Sequence, residues 1–398
     1  MKLLLVIPET DFLDDSNFVP PLGLLYVAEA LRIDFEDVRI LGWQRFKAIA
    51  GNLESDCVAG LTGTSAHEEY FRQLPQLVFG DIIKLAGGAL ATVAPGRIRN
   101  YGFDVVVQGE IEGIRDEIIE AIINHDEKII RGHPDFNMDK YQPDFSLVED
   151  EFDLHKRIGI MTSRGCIHNC SFCAKVISKL RFHNIDFIGN QIKNLKQKYN
   201  PELFIFYDDN ILIGRQRFLD LANHLYGLKI KWRSQARADN VDSEVIWEAK
   251  KSGCIQLSFG VESGSQKILD NVNKRIRVED NTRAIRICRS IGLKTKAFIL
   301  LGLPGESHKT IEETRNWVLE NRPDIVSLYI FYPFEGCDIY QNKSKYDIEF
   351  ESLDLGYYAS KNGYSPCQVR TSGLESNEII EHRNRLKCDF EKCGIKVY

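Results

Sequence analysis

Three cysteines within eight positions are the side chains in this sequence best arranged for chemistry. They lie in Thr162-Ser163-Arg164-Gly165-Cys166-Ile167-His168-Asn169-Cys170-Ser171-Phe172-Cys173. Gaps of three and two residues let one loop wrap three corners of a cubane iron–sulfur cluster, whose normal ligands are thiolates. Three protein ligands leave one iron open to a substrate or cofactor. Three other readings compete. A structural zinc site needs four ligands, typically two separated pairs; His168 could supply the fourth but lies inside the loop, and no second cysteine pair answers it. A ferredoxin-like carrier needs a fourth cysteine nearby, and none is present. The last is chance clustering of buried cysteines.

Such a loop must be positioned by regular elements. It follows an apolar run, Ile158–Thr162, which opens a series of strand candidates: Leu203–Tyr207, Ile230–Arg233, Ile255–Phe259, Lys296–Leu301 and Ile325–Phe331. Between them lie helical patterns. Val245, Ile246 and Ala249 share one face before Gly253, and Ala284, Ile285, Cys288 and Ile291 share another before Gly292. Six βα units predict an open, partial barrel. Barrel enzymes place their chemistry at the carboxyl ends of the strands. Here those ends read Tyr207-Asp208-Asp209-Asn210, Arg233-Ser234-Gln235-Ala236-Arg237, Phe259-Gly260-Val261-Glu262-Ser263-Gly264, Phe298 to Glu306 with Ile299 inside the strand, and an aromatic stretch from Phe331 to Gly336.

Residues 1–125 form a second βα series, with short apolar runs at Lys2–Ile7, Val38–Leu41, Val58–Leu61, Ile82–Leu85 and Val105–Val107. Runs bounded by Gly, Asp or Ser suit strands buried on both faces of a parallel sheet. The apolar helix Leu22–Leu31 follows Pro20-Pro21. Together they predict a doubly wound domain, with ligands beyond the strand ends at Pro8-Glu9-Thr10, Gly63-Thr64-Ser65, Gly87-Gly88 and Gly109-Glu110. Residues 126–155 read as a linker, 156–335 as the partial barrel, and 336–398 as an extension with a helix over Ser376–Cys388 and Gly/Ser/Tyr-rich loops.

The chain of 398 residues, 43% hydrophobic and 27% charged with net charge −6, suits two or three globular domains. That charge argues against a broad nucleic-acid-binding face. No stretch approaches the roughly 18–20 apolar residues of a membrane helix. The opening run Leu3–Ile7 is cut short by Pro8 and Glu9, which disfavours a secretion signal. Ten cysteines in 398 residues, three of them clustered and seven scattered, do not make a disulfide scaffold, so the expected compartment is the cytoplasm.

Cys-x-x-x-Cys-x-aromatic-Cys on the first loop of a βα series resembles the signature of the radical S-adenosylmethionine (SAM) superfamily. The resemblance implies a [4Fe-4S] cluster on Cys166, Cys170 and Cys173 whose free iron chelates the amino and carboxylate groups of SAM. A low-potential donor such as a flavodoxin or ferredoxin then drives SAM cleavage to a 5′-deoxyadenosyl radical. It further implies that Phe172 lies beside adenine, that Asp208 and Asp209 meet the SAM amino group, and that the segment with Gln235 and Arg237 meets the carboxylate. Glu262 and Ser263 match the ribose position, and Ile299 lies on the adenine-contacting strand.

Residues 1–125 are similar to the cobalamin-binding domain of one branch of that superfamily, through Pro20-Pro21-Leu22-Gly23-Leu24-Leu25-Tyr26, Gly87-Gly88 and Gly109-Glu110. That branch implies methyl transfer through cobalamin to a small biosynthetic substrate. No Asp-x-His-x-x-Gly occurs, so the usual axial histidine is absent; His67 lies near a strand end. The alternative is a radical SAM enzyme without functional cobalamin that performs a rearrangement, dehydrogenation or cyclisation. Cys337, after the sixth strand, and Cys388 with Cys393 are further candidates, for hydrogen donation and for auxiliary ligation.

Overall fold

A computed structural model describes residues 1–10, 19–350 and 367–398. The chain divides after Gly159 into two compact units. The expected Gly/Ser/Tyr-rich loops of the extension lie largely outside the described residues. Among the described residues no helix is long and apolar enough to cross a membrane.

In the first unit six strands form one parallel sheet: β1 (Lys2–Ile7), β2 (Asp37–Gly42), β3 (Cys57–Thr62), β4 (Ile83–Gly87), β5 (Val105–Gln108) and β6 (Lys128–Arg131), in the order β2-β1-β3-β4-β5-β6. Leu3, Leu5, Val58, Ala59, Val105 and Val106 are almost fully buried, because helices cover both faces of a parallel sheet. The strand order reverses between β1 and β3, which makes the sheet doubly wound. The stretch read as linker contains β6. It is an edge strand in which only Ile130 is buried while Ile129 remains 39% exposed, so it shows no apolar run.

The second sheet has seven strands in the order β15-β14-β13-β12-β11-β10-β7. Its members are β7 (Arg157–Ile160), β10 (Leu203–Phe206), β11 (Trp232–Ala236), β12 (Cys254–Glu262), β13 (Lys294–Leu301), β14 (Ile325–Ile330) and β15 (Lys396–Val397). Pairing is parallel from β10 through β15. The extension therefore adds a seventh strand to the expected six; at two residues, β15 is too short to leave a pattern. Two more strands, β8 (Ser163–Arg164) and β9 (Arg181–Phe182), pair antiparallel on their own.

Helix packing follows the apolar faces. The helix Ser243–Lys251 starts where the Asp242 side chain accepts from Val245 N at 2.9 Å, and it buries Val245, Ile246 and Ala249. The helix Val278–Ile291 buries Ala284, Ile285 and Cys288 and ends at Gly292, whose φ of +71° favours glycine. Along β13, Thr295, Ala297, Ile299 and Leu301 are buried, while Lys296, Phe298 and Leu300 alternate with them on the inner, half-buried face.

Candidate active site

Backbone contacts from several elements frame the cysteine loop. Its ends are clasped by β8 and β9, with Ser163 paired to Phe182 and Arg164 to Arg181. Gly165 turns the chain with φ +83°, and a methyl group there would strike the Lys179 carbonyl. Within the loop, Cys173 N donates to Cys170 O at 3.1 Å. Three outside contacts tie it down: Ser171 N to Val272 O (2.9 Å), Ile339 N to Ser171 O (3.1 Å) and Asn273 Nδ2 to Asn169 O (2.7 Å).

Cys166, Cys170 and Cys173 line one cavity of about 590 Å³ at the carboxyl ends of the second sheet. Among the described residues no three His, Cys, Asp or Glu side chains stand close enough to hold a single metal ion. A cubane offers a different iron to each thiolate, so its ligands stand further apart than those of one ion. Cys173 faces the cavity, yet desolvation pushes its thiol up to about 11, and the charges of Cys170 and Asp209 add to this. Three thiolates there require a polycationic partner. This donor set, without a fourth cysteine, fits a cluster with one open iron.

The other expected site residues separate into two groups. Phe172, Asp209, Gln235, Arg237 and Glu262 line the cavity. Asp209 has its carboxyl raised by desolvation and then by Asp208. Glu262 is buried with φ +62° and accepts from Lys274 Nζ at 2.7 Å. The Lys274 ammonium also lies 5.5 Å from the Phe172 ring centroid. Arg237 does not present a free guanidinium: it holds Asp239 at 3.1 and 3.0 Å and the Lys274 carbonyl at 2.9 Å, with Nη1 3.8 Å from Cys170 Sγ.

Asp208, Ser263 and Ile299 are not brought to the cavity wall. Asp208 is 1% exposed and accepts from Thr162 N (3.1 Å), Thr162 Oγ1 (2.7 Å) and Ser163 Oγ, so it anchors the start of the cysteine loop. Ser263 is fully buried and hydrogen-bonds Thr314 Oγ1 at 2.9 Å. The Ile299 side chain turns into the core, and its neighbours Phe298 and Leu300 line the cavity instead. The expected aromatic stretch also turns inward at Phe331 and Tyr332, and cavity-facing rings come from Tyr207, Phe298 and Tyr329. Sequence reasoning gave none of these three rings a role, nor Lys274, although Tyr207 and Phe298 lie in the strand ends quoted above. The period-two alternation of β13 could have revealed Phe298; Lys274 sits on a turn with no periodic signal.

Among the remaining cysteines, Cys337 is fully buried and accepts from Tyr340 N at 3.4 Å as a helix cap, off the cavity wall. Cys254 and Cys288 are core residues, and burial pushes the Cys288 thiol up to about 12. Cys388 and Cys393 are exposed.

In the first unit, a methyl on Gly87 would meet nothing within 4 Å, and one on Gly109 nothing nearer than 3.8 Å. Gly63 and Gly88 instead accommodate protein: a methyl on Gly88 would come within 2.9 Å of Gly63 N. His67 is a local cap whose Nδ1 accepts from Thr64 N at 3.0 Å, and burial lowers its pKa to about 4, which keeps it neutral. Open space therefore borders the backbone at Gly87 and Gly109, and no imidazole is offered there in the usual motif.

Residues 160–318 match the sequence model of the Radical SAM superfamily. An uncharacterised methyltransferase of Pyrococcus horikoshii is 26% identical over 86% of this chain and 83% of its own length. The anaerobic magnesium-protoporphyrin IX monomethyl ester cyclase of Rubrivivax gelatinosus is 26% identical over 78% of this chain, which spans 60% of that protein. Among solved structures, the radical SAM methyltransferase TsrM of Kitasatospora setae, with cobalamin and a [4Fe-4S] cluster bound, aligns with TM-score 0.74 and 14% identity over 97% of this chain and 90% of its own. The cobalamin-dependent SAM radical enzyme OxsB aligns with TM-score 0.67 and 17% identity over 86% of this chain and 55% of its own. The chain therefore shares the fold of these enzymes, and its second unit carries a domain of the radical SAM superfamily.

Proposed function

We propose that this protein is a cobalamin-linked radical SAM methyltransferase acting on a small biosynthetic molecule. The observation that carries the reading is the convergence of Cys166, Cys170 and Cys173 with Asp209, Gln235 and the Glu262–Lys274 pair around one cavity. The names of the relatives support methyl transfer, as do the solved enzymes of the same fold. When bound, the cluster supplies the electron that splits SAM, and cobalamin relays the methyl group.

The chain's own residues have separate tasks. The three thiolates would hold a [4Fe-4S] cluster at the cavity wall, where it would offer SAM an iron without a protein ligand. Asp209, which no hydrogen bond engages among the described residues, accepts from the SAM ammonium. Glu262, set by Lys274, receives the ribose hydroxyls, and Phe172 covers adenine. Arg237 acts as a positioning residue, tying the Cys170 side of the loop to the 274 turn. A low-potential acidic donor meets the loop from outside. Between Lys156 and Arg181 the sequence holds six Lys or Arg (156, 157, 164, 175, 179, 181) and no acid, in a chain of net charge −6.

The test is anaerobic reconstitution with iron and sulfide, with and without cobalamin, followed by product analysis. The proposal expects S-adenosylhomocysteine and 5′-deoxyadenosine together. Formation of 5′-deoxyadenosine alone, indifferent to cobalamin, would favour a rearrangement or cyclisation. The C170A variant should lose the cluster and all SAM cleavage, and normal iron content in it would overturn the assignment.

A further inference from the structure

On the amino-terminal side of the cavity lining, one step below Phe298 on β13, the inner face of the second sheet carries a charge that the chemistry above leaves unused. Lys296 shares the inner face of β13 with Phe298 and Leu300, which line the cavity. The strand register sets Lys296 beside Ser258 and Ser258 beside Gln235, so the lysine stands level with a cavity-lining residue. Its Nζ lies 5.1 Å from the Phe298 ring centroid and 5.3 Å from that of Tyr398. Among the described residues no carboxylate and no hydrogen-bond acceptor engages it. The charged group that acts on it is another cation, Arg233, on the same face of β11 as Gln235. Desolvation and then Arg233 lower the Lys296 pKa, and the field of Arg233 also reaches Tyr207. A half-buried ammonium beside a like charge is costly unless an anion joins it.

The lining next to it is aromatic and aliphatic. Phe298 and Tyr329 stack with centroids 6.4 Å apart at 24°, and Leu300 and Tyr207 extend the wall. Such a wall favours a planar ring, which stacks without loss of rotamer freedom.

From this juxtaposition we infer that the barrel's substrate is a planar small acid, with its ring against Phe298 and Tyr329 and its anionic group on Lys296. This rests on the barrel being the active site and extends that reading to the substrate class. Lys296 is then a specificity residue that touches substrate and leaves SAM alone.

The experiment titrates three probes into the cluster-loaded protein without reductant, by calorimetry: 2-naphthoate, its neutral isostere 2-naphthamide, and 2-naphthyl phosphate. Wild type should bind at least one anion about tenfold more tightly than the amide, the scale of one charge-assisted contact. The stronger of the two anions identifies a carboxylate or a phosphate substrate. The K296M and K296Q variants should bind anion and amide equally, and K296R should keep the preference. Equal affinities in wild type, no binding by any probe, or a preference that survives in K296M or K296Q would overturn the inference. Iron content and substrate-free SAM cleavage, measured on the same samples, should be unchanged in the variants; their loss in wild type would instead count against the radical SAM reading.

Discussion

Glu262 is where three local constraints meet. It is a non-glycine residue with φ +62°, a conformation that costs about 1–3 kcal/mol and persists only where the surroundings enforce it. It follows the register shift between β12 and β13, and its carboxylate and the Lys274 ammonium are both nearly inaccessible, 2.7 Å apart. Removing one partner of such a pair leaves a bare buried charge. The K274M variant should therefore lose about 3–5 kcal/mol of unfolding free energy in denaturant titration, and SAM affinity with it. Gly260 tests the same spot without altering charge. A methyl there would strike Glu262 Oε1 and come within 2.8 Å of Lys274 Nζ. G260A should retain its iron and weaken SAM binding roughly tenfold in equilibrium dialysis; unchanged SAM affinity would show that the pair does not set the ribose site. The sequence placed Glu262 at a strand end, and the fold brings it to the cavity wall, but its counter-ion twelve positions later was invisible, because proximity through a turn leaves no periodic trace. Asp208 was misread for a related reason: adjacent acids look equivalent in sequence, and only the fold shows one beneath the loop and the other in the cavity.

At the scale of elements, the clasp formed by β8 and β9 does for the cysteine loop what a hairpin does for a turn. Its register is short, so it depends on Gly165 to bring the chain against the Lys179 carbonyl. A G165A variant has both a disfavoured φ and a steric conflict. It should bind well under half the wild-type iron after reconstitution while its far-UV circular dichroism stays native. The basic run of the same segment predicts that reduction by a flavodoxin slows as salt rises, with k_on falling steeply over the physiological range; reduction by a small neutral reagent should not. Most barrel strands were legible as short apolar runs bounded by turn residues, as with Ile255–Phe259 between Gly253 and Gly260. β6 and β15 were not, because one is a half-exposed edge and the other two residues long. The alternation that puts Phe298 and Leu300 on one face and Ile299 on the other was present in the sequence, and Lys294 and Lys296 on the first of these faces were its clue, but the apolar run Ala297–Leu301 masks it.

At the scale of the whole molecule, the two units should respond to pH in opposite senses. In the second, burial lifts the Glu306 carboxyl to about 8 from an unperturbed 4.5, so the folded state keeps a proton that the unfolded chain releases. Its stability should fall as pH rises from about 4.5 to about 8 and then level off. In the first, burial lowers His67 to about 4 from 6.5, so the unfolded chain takes up the extra proton, and stability should be lost as pH falls from 6.5 towards 4. The E306Q variant should remove only the second unit's loss of stability with rising pH, and H67N only the first unit's loss with falling pH, read from denaturant midpoints across that range. The clasped loop has a consequence of its own. Because backbone bonds from the 272 and 339 segments already hold it, the apoprotein has met most of the ordering cost before any metal arrives. Losing the cluster to air should then leave an intact, cooperatively melting protein that accepts fresh iron and sulfide without being unfolded. Oxidative damage becomes a matter of repair in place rather than of resynthesis.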